Sequence, residues 1–76
     1  MNLVTNALAQ LSPPNKAPAM DPALVNRLAG VASADVPTQL RVVEGIMLAI
    51  YVKADKGSQA AFQILLKLYG DLRKLT

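Results

Sequence analysis

Few residues in this chain have side chains that could do chemistry. Glu44 is the one charged residue inside an eleven-residue apolar run, Val42 to Val52 (VVEGIMLAIYV). A carboxylate buried in such a run would have a raised pKa and would serve as a general acid or base. Arg41 stands three residues earlier on the same helical face, so an exposed ion pair is the simpler reading. No second acid, base or nucleophile falls at a helical spacing that would complete a site, and catalysis needs such partners in mutual reach. The chain reads as non-enzymatic, with no catalytic residues.

Lys53, Lys56, Gly57 and Ser58 lie at the start of an expected helix, where free backbone amides and the helix dipole favour an anion. The phosphate-cradling GxxxxGK[ST] pattern is absent and no strand precedes the turn, so a plain turn and cap with solvated lysines is the simpler reading. Lys53 and Lys56, with Arg73 and Lys74, are the candidate nucleic-acid contacts. Tyr51 and Tyr69 could stack on bases or anchor an interface, but too few basic residues interleave with them to form a nucleic-acid platform. Gly45 and Ala49 make a small-xxx-small step that lets another helix approach closely, either within the chain or from a partner.

The elements that must position these residues belong to a short chain. At 76 residues it is one domain at most, and folding at that size removes only about 60% of the unfolded surface. The chain has no Cys and no His, which excludes a disulfide and argues against a zinc-type site; no metal or cofactor is expected. Hydrophobic residues make up 53% and charged residues 17%, against a charged share of about 25% in typical domains. A surface short of charge is relieved by self-association or by docking on another protein. The net charge of +3 is a mild bias. A nucleic-acid module normally gathers its cations on one face. The apolar run is shorter than the roughly 20 residues that span a bilayer, and no secretory pattern precedes it. The default expectation is a cytoplasmic protein, in a viral setting a virion-associated one.

Leu3, Val4, Ala7, Leu8 and Leu11 recur at helical spacing, which makes the N-terminus an amphipathic arm. Ser12 to Met20 (SPPNKAPAM) holds three of the five prolines and reads as an extended linker. Residues 1–20 are therefore expected to be an arm plus linker, able to dock on its own body, a second copy or another protein, and 21–76 a helical domain. Asp21 with Pro22 begins a helix over about 21–31. Asp35 with Pro37 repeats the signal for a longer one to about 54. Its inner face is Val36, Leu40, Val43, Met47, Ile50 and Ala54, widened by Val42, Ile46 and Ala49, and its outward row reads Arg41, Glu44, Leu48, Tyr51 and Asp55. Asp55-Lys56-Gly57 reads as a turn and Ser58 as the cap of a last helix over about 58–75, with Ala61, Leu65, Leu68, Leu72 and Leu75 inward, flanked by Phe62 and Tyr69. The fold class that follows is all-α: a small helical bundle built on an antiparallel helical hairpin, with a shorter helix and the arm.

The stretch 42–72, above all VKADKGSQAAFQILLKLYGDL from Val52 onward, resembles a segment of bacteriophage terminase small subunits. The matching positions are Lys53, Asp55, Lys56, Gly57, Ala60, Ala61, Leu65, Leu66, Leu68 and Gly70. The resemblance implies a ring-forming DNA-packaging protein that recruits a nuclease and ATPase partner. That family usually places a helix-turn-helix domain ahead of this segment, where this chain has an arm, a proline linker and one short helix.

The leading expectation is an assembly or adaptor component that associates through apolar helix faces, with Leu3, Val4, Leu8, Gly45, Leu48, Ala49, Tyr51 and Val52 as the interface. The alternative is a nucleic-acid-binding packaging factor.

Overall fold

The computed structural model describes residues 2–11, 21–53 and 56–76, with the backbone alone for 53 and 56–58. They form four helices and no strand: α1 (Leu3–Leu11), α2 (Pro22–Ala29), α3 (Val36–Lys53) and α4 (Lys56–Arg73). The expected linker over 12–20 lies outside the described residues, as do 54 and 55 of the expected turn.

Each of the first three helices starts on a short polar side chain. The Asn2 Oδ1 accepts from the amides of Val4 at 2.9 Å and Thr5 at 3.2 Å. Asp21 accepts from Ala23 at 2.9 Å with Pro22 at the first helical position, and Asp35 accepts from Thr38 at 3.1 Å. These bonds satisfy amides that have no partner inside the helix. α2 closes with the Gly30 amide donating to Asn26 O at 3.0 Å.

α3 and α4, 18 residues each, make the most extensive contact, and α1 packs on α4 and α2 while α2 packs on α3. The α3–α4 pair is antiparallel: Glu44 meets Tyr69, and Tyr51 and Phe62 share a cleft nearer the turn. The core is one cluster of Val4, Ala7, Leu11, Leu28, Val43, Ile46, Ile50, Ala61, Leu65, Leu68 and Leu72. Fully burying an aliphatic side chain of the Val, Leu or Ile kind contributes about 1.5–3 kcal/mol, so every helix is tied in by at least one such group. The Cα radius of gyration is 11.4 Å, close to the ~11 Å of a compact chain this long.

Three details differ from the sequence reading. α4 begins at Lys56, so Lys56 and Gly57 are helical and Ser58 lies inside the helix instead of capping it; a glycine in a helix costs only about 1 kcal/mol, which an 18-residue packed helix tolerates. Leu75 follows the end of α4 and is 63% exposed, because the chain tightens there: the Leu75 amide turns back to Leu72 O at 3.0 Å and Thr76 Oγ1 donates to Arg73 O at 2.8 Å. Gln39, which the sequence reading gave no role, is a core residue at 6% exposure. Its side-chain amide donates to Val31 O at 3.0 Å and Ala32 O at 3.1 Å. The cost of burying an amide is thereby met with hydrogen bonds, and no buried side-chain N or O among the described residues lacks a partner.

Candidate functional site: an apolar groove on the helical hairpin

α4 carries two apolar stripes one residue apart. Ala61, Leu65, Leu68 and Leu72 are buried against the rest of the bundle. Phe62, Leu66 and Tyr69, at the same i, i+4, i+7 spacing, turn toward the outer side of the hairpin. There they meet the outward row of α3, and Glu44, Met47, Leu48, Tyr51, Phe62, Leu66 and Tyr69 together line an open cleft of about 510 Å³. Leu48 is 66% exposed, Tyr51 73%, Val52 80% and Leu66 46%. Single exposed apolar residues are ordinary on protein surfaces; a contiguous set along a groove marks a contact surface.

The polar groups stand at the end of the cleft away from the turn. Tyr69 donates its hydroxyl to Glu44 Oε1 at 2.9 Å, and Arg73 reaches the same hydroxyl oxygen at 3.5 Å while its guanidinium lies 5.8 Å from the Tyr69 ring centre. The Glu44 carboxylate is thus taken by Tyr69 across the hairpin, not by Arg41 along its own helix, and it is exposed, not buried. Among the described residues no three of His, Cys, Asp and Glu gather into a metal-holding group, and no helix is long and apolar enough to cross a membrane.

The residues singled out as an interface fall into three places. Leu48, Tyr51 and Val52 lie on or beside the groove and are open to solvent. Gly45 and Ala49 are half-buried, and a methyl group placed on Gly45 would stand 3.9 Å from Arg27 Nη2, so Gly45 faces α2 of the same chain. Val4 is fully buried, and Leu3 and Leu8 pack against the core, so the arm is spent inside its own bundle. Of the candidate cations, Arg73 and Lys74 are exposed at the end of α4, Arg73 being folded onto Tyr69; the side chains of Lys53 and Lys56 lie outside the described set. Sequence reasoning missed Met47, Phe62 and Leu66 as groove residues, and named Tyr69 as a residue that could anchor an interface without placing it on this face. The signal was present in the second α4 stripe, which exceeds what one buried face requires.

Fold and groove define a small all-α helical domain with an unfilled inter-helical surface. Comparison of the chain with protein-family models, curated proteins and solved structures gives no match. The functional reading therefore rests on the groove.

Proposed function

We propose that this chain is a non-enzymatic interaction module that docks a protein through the α3–α4 groove. The observation that carries it is the exposure of Leu48, Tyr51 and Leu66 along one cleft, outside the core cluster of the described residues. Two antiparallel helices with an apolar furrow between them offer the surface on which an amphipathic helix lays its apolar face.

The test is a photo-reactive amino acid placed at Leu66 in the cell that makes the protein. Discrete protein adducts, lost when Leu48→Lys or Tyr51→Glu is added, support docking at this face; adducts only with nucleic acid, or none, overturn it. Both substitutions fall on exposed positions, so helix content should stay the same. Nucleic-acid adducts would favour the packaging-factor reading, whose own signature is affinity that falls steeply with salt as counterions are released.

A further inference from the structure

We infer that α1 is a releasable strap, and that its seat on α4 and α2 also takes the α1 of a second copy. The seat is filled in the structure: α1 packs on α4 and α2, with Val4 and Leu11 fully buried and Ala7 4% exposed. The helices α1 and α4 run antiparallel, since Asn2 and Leu3 share a cleft with Leu72 and Leu75 while Gln10 shares another with Ile64 and Lys67. The seat thus defines its own occupant, a helix with this chain's apolar spacing and an amide side chain at its start. α1 has no charged residue, so the same helix from a second copy brings no charge into the contact.

Asn2 makes the strap two-state. Its Oδ1 accepts from the Val4 and Thr5 amides, which caps the helix, and its Nδ2 donates to the Ala32 carbonyl at 2.6 Å, which latches the helix to the α2–α3 connection. α1 has nine residues, and a helix shorter than about 12 is marginal in water unless its apolar face is packed. Undocking α1 therefore unwinds it, and cap, helix and latch form together. The extensive α3–α4 contact stays when α1 leaves, so the opening is local. It bares Leu68 and Leu72, which line the two α1 clefts and are 4% and 1% exposed when covered. Residues 12–20 join α1 to the body. Nine residues reach at most about 30 Å, close to the 31 Å long axis of the molecule, which brings the seat of an adjoining copy within range. Two copies that trade α1 keep its contacts and close on a two-fold axis. A short tether holds α1 beside its own seat at an effective concentration of the order of millimolar, so exchange takes over where copies are crowded.

The chain has no Cys, so cysteines placed at Gln10 and Lys67, both exposed and on opposite walls of one cleft, report the α1–α4 pairing in the full chain. A short bis-maleimide should cross-link the double variant Gln10→Cys/Lys67→Cys within one molecule when dilute. In an equal mixture of the two single variants at about millimolar concentration, the covalent heterodimer should exceed both homodimers together at least about fivefold, where random collision gives parity. Asn2→Ala, which removes the latch and touches neither cysteine, should speed the appearance of the heterodimer roughly fivefold or more. Helix content is checked for each variant, and Asn6→Cys with Asp71→Cys, on the same cleft, replaces any pair that lowers it. Internal cross-linking with the heterodimer at parity overturns exchange and makes α1 a fixed part of its own bundle. A double variant that keeps its helix content and fails to cross-link overturns the seat itself. A heterodimer whose rate Asn2→Ala leaves unchanged overturns the latch. The α3–α4 groove has no part in any of these readouts, so docking there stands or falls separately.

Discussion

The side-chain amides of Asn2 and Gln39 meet on a single oxygen, the Ala32 carbonyl, at 2.6 Å and 3.1 Å. Asn2 caps α1 with its Oδ1 and Gln39 stands on α3, so the connection between α2 and α3 is held from two sides. A carbonyl oxygen has two lone pairs, and here both are used to fasten the N-terminal helix to the middle of the chain.

Asn2→Ala removes the cap and the bond to Ala32 together and should cost about 1–2 kcal/mol. Asn2→Asp keeps the capping oxygen and loses only the amide donor, so its loss should be smaller. Urea denaturation of both variants measures this; equal losses would mean that the cap contributes nothing. Amide exchange should quicken first across α1 in the Ala variant.

Gly70→Ala should stabilise the protein. Gly70 is exposed inside α4, and a methyl group there meets no atom within 4 Å. Helix-interior Gly→Ala is worth about 0.5–1 kcal/mol, which raises the thermal midpoint of a chain this size by roughly 2–8 °C. Gly45→Ala should gain a similar amount, since its methyl group would stand in ordinary van der Waals contact with the Arg27 side chain at 3.9 Å. A lowered midpoint for Gly70→Ala would show that something packs on that face.

Acid sensitivity should pass through Asp35. Hydrogen bonding from the Thr38 side chain, then from its backbone amide, holds the Asp35 carboxyl below its ordinary 3.8, with partial desolvation acting the other way and Arg41 adding a smaller pull downward. A carboxyl whose pKa is lower in the folded state stabilises that state fully above its unfolded value, and the contribution is lost as pH falls through the folded one. Asn in this place still caps but does not titrate. The difference in thermal midpoint between wild type and Asp35→Asn should therefore change between about pH 5 and about pH 2, in the direction of relative loss for the wild type. A difference that stays constant over that range rejects the linkage.

Tyr69→Phe keeps the apolar wall of the groove and deletes the bond to Glu44. On an exposed surface this should cost about 1 kcal/mol or less, measurable by denaturant midpoint. A loss several times larger would mean that the Glu44–Tyr69 bond organises the hairpin itself.

The α2 and α3 starts were legible because Asp21 and Asp35 stand beside Pro22 and Pro37, a signal contained in adjacent residues. Asn2 was not, since half of its work is done on a carbonyl 30 residues away. Gln39 breaks the apolar period of α3, and its partners Val31 and Ala32 become visible only once the connection folds back. The helical hairpin was legible from the 3.6-residue period, whereas the start of α4 was not: a good capping residue at Ser58 argued for a start that the helix overruns. Leu48 and Tyr51 could be picked out as apolar residues on an outward row, and Val52 as a neighbour of the Gly45–Ala49 step. Phe62, Leu66 and Tyr69 could not be assigned to the same surface, because one helix carrying two adjacent apolar stripes does not itself say which one its neighbours cover.

The packing of α1 on α4 also has a meaning in time. α3 and α4 are joined by a short connection, so their pairing is local and fast, whereas α1 must close a loop over most of the chain to reach its seat. On the ribosome, Val4, Ala7 and Leu11 are made before their cover on α4. α1 thus waits for its seat, and until α4 is made the nascent chain carries an unsheltered apolar face.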